Sequence, residues 1–107
     1  MSGLTGEEAS AAAAAWLDEL SHQRRASPLT LESYGHDLAA LLALAGAAPL
    51  DKLKHHDIRR FVAQLHARGL SGRSLARALS AWRGFFNWLA KHRGMTQNPC
   101  LAVRPPK

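Results

Sequence analysis

A chain of 107 residues is long enough for one domain with its own core, and 47% hydrophobic residues exclude bulk disorder. A single cysteine, Cys100, excludes an internal disulfide, and the apolar runs, residues 11–17 and 38–45, fall far short of the ~20 residues that span a bilayer. The net charge of +6 is unevenly placed: all eight carboxylates precede residue 58, and residues 58–107 carry ten basic side chains and no acid, so the two halves hold about −4 and +10. A one-signed half of this size attracts polyanions. Acids at the N-terminus do not fit a secretory signal, and the reading is a soluble, cytoplasmic protein that does not engage a membrane.

Residues 1–6 read as a flexible leader. Helix one is predicted over 7–23: an Ala run gives high helix propensity, and Ala13, Trp16, Leu17 and Leu20 form a stripe at i, i+3, i+4, i+7. Ser27 then caps helix two, with Pro28 at its first position. Leu31, Tyr34, Leu38, Leu41, Leu42 and Ala45 form its inner stripe, and Gly46 with Pro49 ends it. Thr30, Ser33, His36 and Asp37 form a polar edge with Tyr34 at its boundary. Residues 50–53 connect to helix three, about 55–68, with Asp57 in its first turn and Ile58, Phe61, Val62 and Leu65 as its stripe. Gly69 closes it, Ser71 caps helix four over about 72–93, and Gly94 ends that helix. Asn98-Pro99 is a turn, and the exit segment from 99 ends in a semi-rigid extended stretch, residues 104–107. Scarce β-branched residues and four short-linked helices predict an all-α, four-helix orthogonal bundle.

At 100° per residue helix four divides into two arcs. Leu75, Ala78, Leu79, Trp82, Phe85, Phe86 and Leu89 fall on one; Arg73, Arg77, Ser80, Gly84, Asn87 and Lys91 fall on the other, with Arg83 on its shoulder. A merely solubilising face mixes signs, because opposite charges at i,i+4 add stability. This arc has donors and small residues and no acid. It suits a DNA major groove, with Arg gripping phosphate or reading guanine, and Ser80 and Gly84 permitting close approach. Trp88 lies off the apolar arc and reads as partly exposed.

Two stretches resemble the N-terminal core-binding (SAM-like) domain of tyrosine recombinases of the phage-integrase type. Residues 27–38 fit S-x-x-T-x-x-x-Y-x-x-D-L, and residues 69–89 fit G-[LY]-S…R-x-L-S-A-x-R-x-F-F-x-[FW]-L. The resemblance covers about residues 12–107 and leans to the XerC branch, bacterial recombinases that resolve chromosome dimers. It implies a core-binding domain over 7–98 and, from 99, a linker to a C-terminal catalytic domain that completes a clamp on DNA. It implies double-stranded DNA (a recombination half-site) as ligand, and XerD-like recombinase protomers as partners in a synaptic tetramer. Helices two and four would face the major groove. The residues so assigned are Thr30, Ser33 and Tyr34, then Arg73, Ser74, Arg77, Ser80 and Arg83, with Asn87 and Lys91 from the polar arc and Lys107 near the linker.

The family's tyrosine nucleophile and its basic partners belong to the catalytic domain. The single tyrosine here, Tyr34, lies in the core-binding motif, and this stretch is expected to bind DNA without cleaving it. The H-x-x-R matches at His22–Arg25 and His56–Arg59 are read as coincidence. No cofactor or metal is expected: His55 and His56 point about 100° apart and no Cys or acid cluster completes a site. Two other readings fit the same residues: a helical protein-interaction module, and a standalone DNA-binding regulator of recombinase ancestry.

Overall fold

The computed structural model describes residues 4–23 and 26–105. Over these the protein is all-helical, with no strand: α1 (Gly6–Gln23), α2 (Pro28–Ala45), a single 3-10 turn (Leu50–Lys52), α3 (His55–Ala67) and α4 (Gly72–Arg93). The expected boundaries hold to within a residue because their signals are local. Ser27 Oγ accepts from the Thr30 amide at 3.1 Å, and Ser71 Oγ from the Ser74 amide at 3.1 Å, each satisfying a donor that a helix start leaves without a partner. Gly94 takes the left-handed conformation (φ 70°, ψ 21°) that stops α4.

The fold is built around α4. Leu75, Ala78, Leu79, Ala81, Trp82, Phe85, Phe86 and Leu89 are all buried, so the arc read as apolar is the spine of the core. α1 and α2 pack against one flank of it and against each other, and α3 packs against another. Trp16 of α1 stacks on Tyr34 of α2, with centroids 5.9 Å apart and planes at 9°, and leans on Phe85 of α4 at 5.9 Å and 38°. Three helices are pinned by that aromatic trio. Leu50 and Leu53 are buried, as their reading as core plugs requires.

Both ends of the described chain depart from the expectation. Leu4, placed in a flexible leader, is buried; its amide donates to Asp51 Oδ1 at 3.1 Å and its carbonyl accepts from the Leu50 amide at 2.9 Å. The exit segment is folded as well. Cys100 and Val103 are buried in the same core, two and five residues beyond the edge placed at 98. Asn98 holds the turn: Nδ2 donates to the Arg83 carbonyl at 3.1 Å and to Asn87 Oδ1 at 2.8 Å, and Oδ1 accepts from the Cys100 amide at 2.9 Å. Leu4 stands alone and residues 100–103 are a short apolar run, so neither shows a helical or strand period, and only non-local contacts identify Leu4, Cys100 and Val103 as core.

Candidate nucleic-acid interface

Of the α4 residues on the polar arc, Arg73, Ser80, Asn87 and Lys91 are exposed, Arg83 is half-buried, and Ser74 is half-buried beside them in the first turn. Arg73, Arg83 and Lys91 have no ion-pair partner among the described residues. Exposed Arg73 and Lys91 thus stand toward opposite ends of a helix about 33 Å long, with Arg83 between them. Lys107, the last assigned residue, lies outside the described residues.

Three arc residues have duties inside the protein. Gly84 does not leave room for an outside ligand. A Cβ there would sit 2.8 Å from Cζ2 of Trp16, so the close approach it permits is that of α1. A glycine in the middle of a 22-residue helix costs roughly 0.5–1 kcal/mol relative to Ala, which was itself a signal that something packs there. Asn87 accepts the tail's bond from Asn98. Arg77 is held in a fork: its Nε donates to Asp37 Oδ2 at 2.9 Å and its Nη2 to Asp37 Oδ1 at 2.8 Å. The Asp37 hydrogen bond raises the Arg77 pKa further above its already high ordinary value.

Asp37 corrects the reading of α2. Expected on the polar edge, its side chain is only 5% exposed, and its backbone carbonyl accepts from Nε1 of the buried Trp82 at 2.7 Å. The spacing contained the signal. Asp37 is three residues after Tyr34 and four before Leu41, which places it on the inner stripe. A buried carboxylate requires a partner, and an arginine across the helix pair is the natural one.

The other α2 residues lie at the margin of the strip. Ser33 and Tyr34 are half-buried, and Tyr34 gives one face to Trp16. Thr30 is half-buried, and its Oγ1 accepts from Ser27 Oγ at 2.9 Å; Ser74 Oγ likewise accepts from Ser71 Oγ at 3.2 Å. α2 and α4 therefore start alike, with a hydroxyl at the cap and another three residues on, and neither has an acid in its first turn. α1 and α3 do, at Glu7, Glu8 and Asp57. The positive dipole ends of α2 and α4 are left uncompensated.

Trp88, read as partly exposed, is half-buried; its Nε1 donates to Glu19 Oε2 and its ring stacks on His92 at 4.6 Å. The Cys100 thiol is fully buried, and burial pushes its pKa up to about 12, which leaves it unreactive. Among the described residues no cluster of His, Cys, Asp or Glu could hold a metal, and no helix is long and apolar enough to cross a membrane.

Residues 13–93 match the family model described as "Phage integrase, N-terminal SAM-like domain". The chain is 54% identical over 99 residues to "Tyrosine recombinase XerC" of Ralstonia pickettii (strain 12J), covering 88% of this chain and 30% of that protein. It is 48% identical over 103 residues to the protein of the same name in Methylobacterium nodulans (strain LMG 21967 / CNCM I-2342 / ORS 2060), covering 90% and 32%. With "Tyrosine recombinase XerC" of Alcanivorax borkumensis (strain ATCC 700651 / DSM 11573 / NCIMB 13689 / SK2) it shares 39% over 92 residues, covering 86% and 30%. The chain thus spans about a third of the length of the curated relatives it matches. No solved structure matches it significantly.

Proposed function

The chain belongs to the phage-integrase N-terminal SAM-like domain family, and on that basis we propose that it binds double-stranded DNA through the outward strip of α4 and the N-terminal half of α2. The observation that carries this reading is the strip itself: Arg73, Arg83 and Lys91 share one side of α4 with no ion-pair partner among the described residues. An α-helix fits the major groove, and unpaired Arg and Lys along it meet phosphates on the groove walls. The acid-free starts of α2 and α4 add amide donors and hydroxyls of the kind that hold phosphate oxygens.

In this reading the chain is the DNA-gripping, non-catalytic part of a XerC-like tyrosine recombinase. A C-terminal catalytic domain closes the clamp from the other side of the duplex, and XerD-like protomers complete a synaptic tetramer for chromosome-dimer resolution. Phosphate contacts supply most of the affinity of this part alone. With about four to six phosphates neutralised, log K falls against log salt with a slope of about −4 to −5.

Fluorescence anisotropy on a labelled duplex, repeated across a salt series, tests it. The pair Arg73→Glu/Lys91→Glu should reduce affinity at least tenfold and flatten the slope by about two. The pair Arg59→Glu/Arg68→Glu, on α3 and at its C-cap and equal in charge change, should do much less. Equal losses from both pairs, or an affinity indifferent to salt, would overturn the assignment of the face.

A further inference from the structure

We infer that Asp37 is a positioning residue that holds Arg77 in the plane required to read a guanine, so that this pair, rather than the unpaired basic residues, sets base preference. The inference rests on the DNA-binding reading above and gives one residue of the strip a distinct task.

The geometry of the fork carries it. Asp37 occupies the Nε–Nη2 edge of the guanidinium with two bonds of 2.9 and 2.8 Å. Both Nη1 protons and one on Nη2 remain, and one from each nitrogen forms the end-on edge of the same rigid plane. That edge is the one that pairs with O6 and N7 of guanine through two parallel bonds. The Arg77 side chain is 42% exposed, while that of Asp37 is 5% exposed, so the carboxylate is inside and the arginine reaches solvent at the α2–α4 seam. Asp37 is itself fixed, because Trp82, fully buried, donates to its backbone carbonyl at 2.7 Å. The chain Trp82–Asp37–Arg77 ties an outward donor pair to the core.

Charge separates this task from phosphate binding. A buried carboxylate behind Arg77 cancels its net charge, so the pair contributes little to phosphate attraction or counterion release. Two unsatisfied, coplanar N–H groups lose nothing by that cancellation, and fixing their plane removes the rotamer freedom that a bidentate contact otherwise has to give up. Arg73 and Lys91 have no such support and suit phosphates.

The test selects bound duplexes from a randomised pool with this chain, sequences them, and repeats the selection with Asp37→Asn, Asp37→Ala and Arg77→Lys, each checked for helicity. The wild type should prefer guanine at one position by about 5- to 100-fold. All three substitutions should abolish that preference at that position and keep preferences elsewhere, and the Asp37 substitutions should slightly raise affinity for unrelated sequence, since a negative charge leaves. Arg77→Lys keeps a cation opposite Asp37 and decides the matter if an Asp37 variant does not fold. A guanine preference that survives Arg77→Lys, or survives in a folded Asp37→Asn, would overturn the inference and make the pair a cross-helix tie only. Binding without any positional guanine preference overturns it too and leaves the DNA reading standing. A wild type that binds no duplex sinks both.

Discussion

Gly84 shows how one residue can be read correctly for size and incorrectly for purpose. Its lack of a side chain does permit a close approach, but the approaching group is Trp16, whose ring is flanked by Tyr34 and Phe85. Gly84→Ala sets two effects of opposite sign against each other. Helix propensity favours Ala by about 0.5–1 kcal/mol. A Cβ at 2.8 Å from a ring that cannot swing aside without breaking its stacking costs about 1–3 kcal/mol by overpacking. Overpacking wins, and the substitution should destabilise the protein by roughly 0.5–2 kcal/mol in urea unfolding. A more stable variant would mean that Trp16 moves without cost. The same contact explains why the polar arc of α4 is narrower than its 100° projection: the helical wheel places Gly84 correctly but shows nothing of the helix that crosses it.

Among the elements, α3 is the one whose start depends on a titrating group. Asp57 Oδ2 accepts from the Lys54 amide at 2.9 Å and Oδ1 from Arg60 Nη1 at 3.0 Å. The Lys54 amide bond is the chief reason that its carboxyl is held below the ordinary value of 3.8, with Arg60 and His56 adding to it against some desolvation. A carboxyl more acidic in the folded protein than in the unfolded chain stabilises the fold while ionised. That contribution is complete above the unfolded value and is lost as pH falls through the lower folded one. The wild type should therefore lose stability relative to Asp57→Asn as pH falls below about 5, in thermal melts at matched ionic strength. A difference that does not change on the acid side would remove Asp57 from the acid limb. The helix boundaries were readable beforehand because their signals are of this local kind, in Ser27-Pro28, Ser71 and Gly94. The Asp37–Arg77 fork was not, since it joins residues 40 apart and depends on how α2 crosses α4. Only the position of Asp37 on the inner stripe foreshadowed it.

Over the whole molecule, the two ends matter more than their sequence implies. Leu4 and the pair Cys100 and Val103 come from opposite ends of the described chain and enter one core. Neither contribution was readable, because a lone Leu4 and a four-residue apolar run beyond the last periodic segment carry no helix or strand period. The energies are large against the 5–15 kcal/mol that holds a domain of this kind together. Fully burying a residue such as Val contributes about 1.5–3 kcal/mol, and removing Cys100 and Val103 also leaves Asn98 without the Cys100 amide. Ending the chain after Asn98 should cost about 3–5 kcal/mol and broaden the unfolding transition, whereas ending it after Pro105 should cost less than about 0.5 kcal/mol. Within the longer form Cys100 doubles as a probe. Its thiol, buried and with its pKa near 12, should resist a neutral-pH thiol reagent until the tail opens. Asn98→Ala removes three hydrogen bonds from that tail and should speed labelling at least tenfold while leaving the helices intact by circular dichroism. Rapid labelling of the unaltered protein, or a truncation after Asn98 that melts like the full chain, would show that the core closes without its ends.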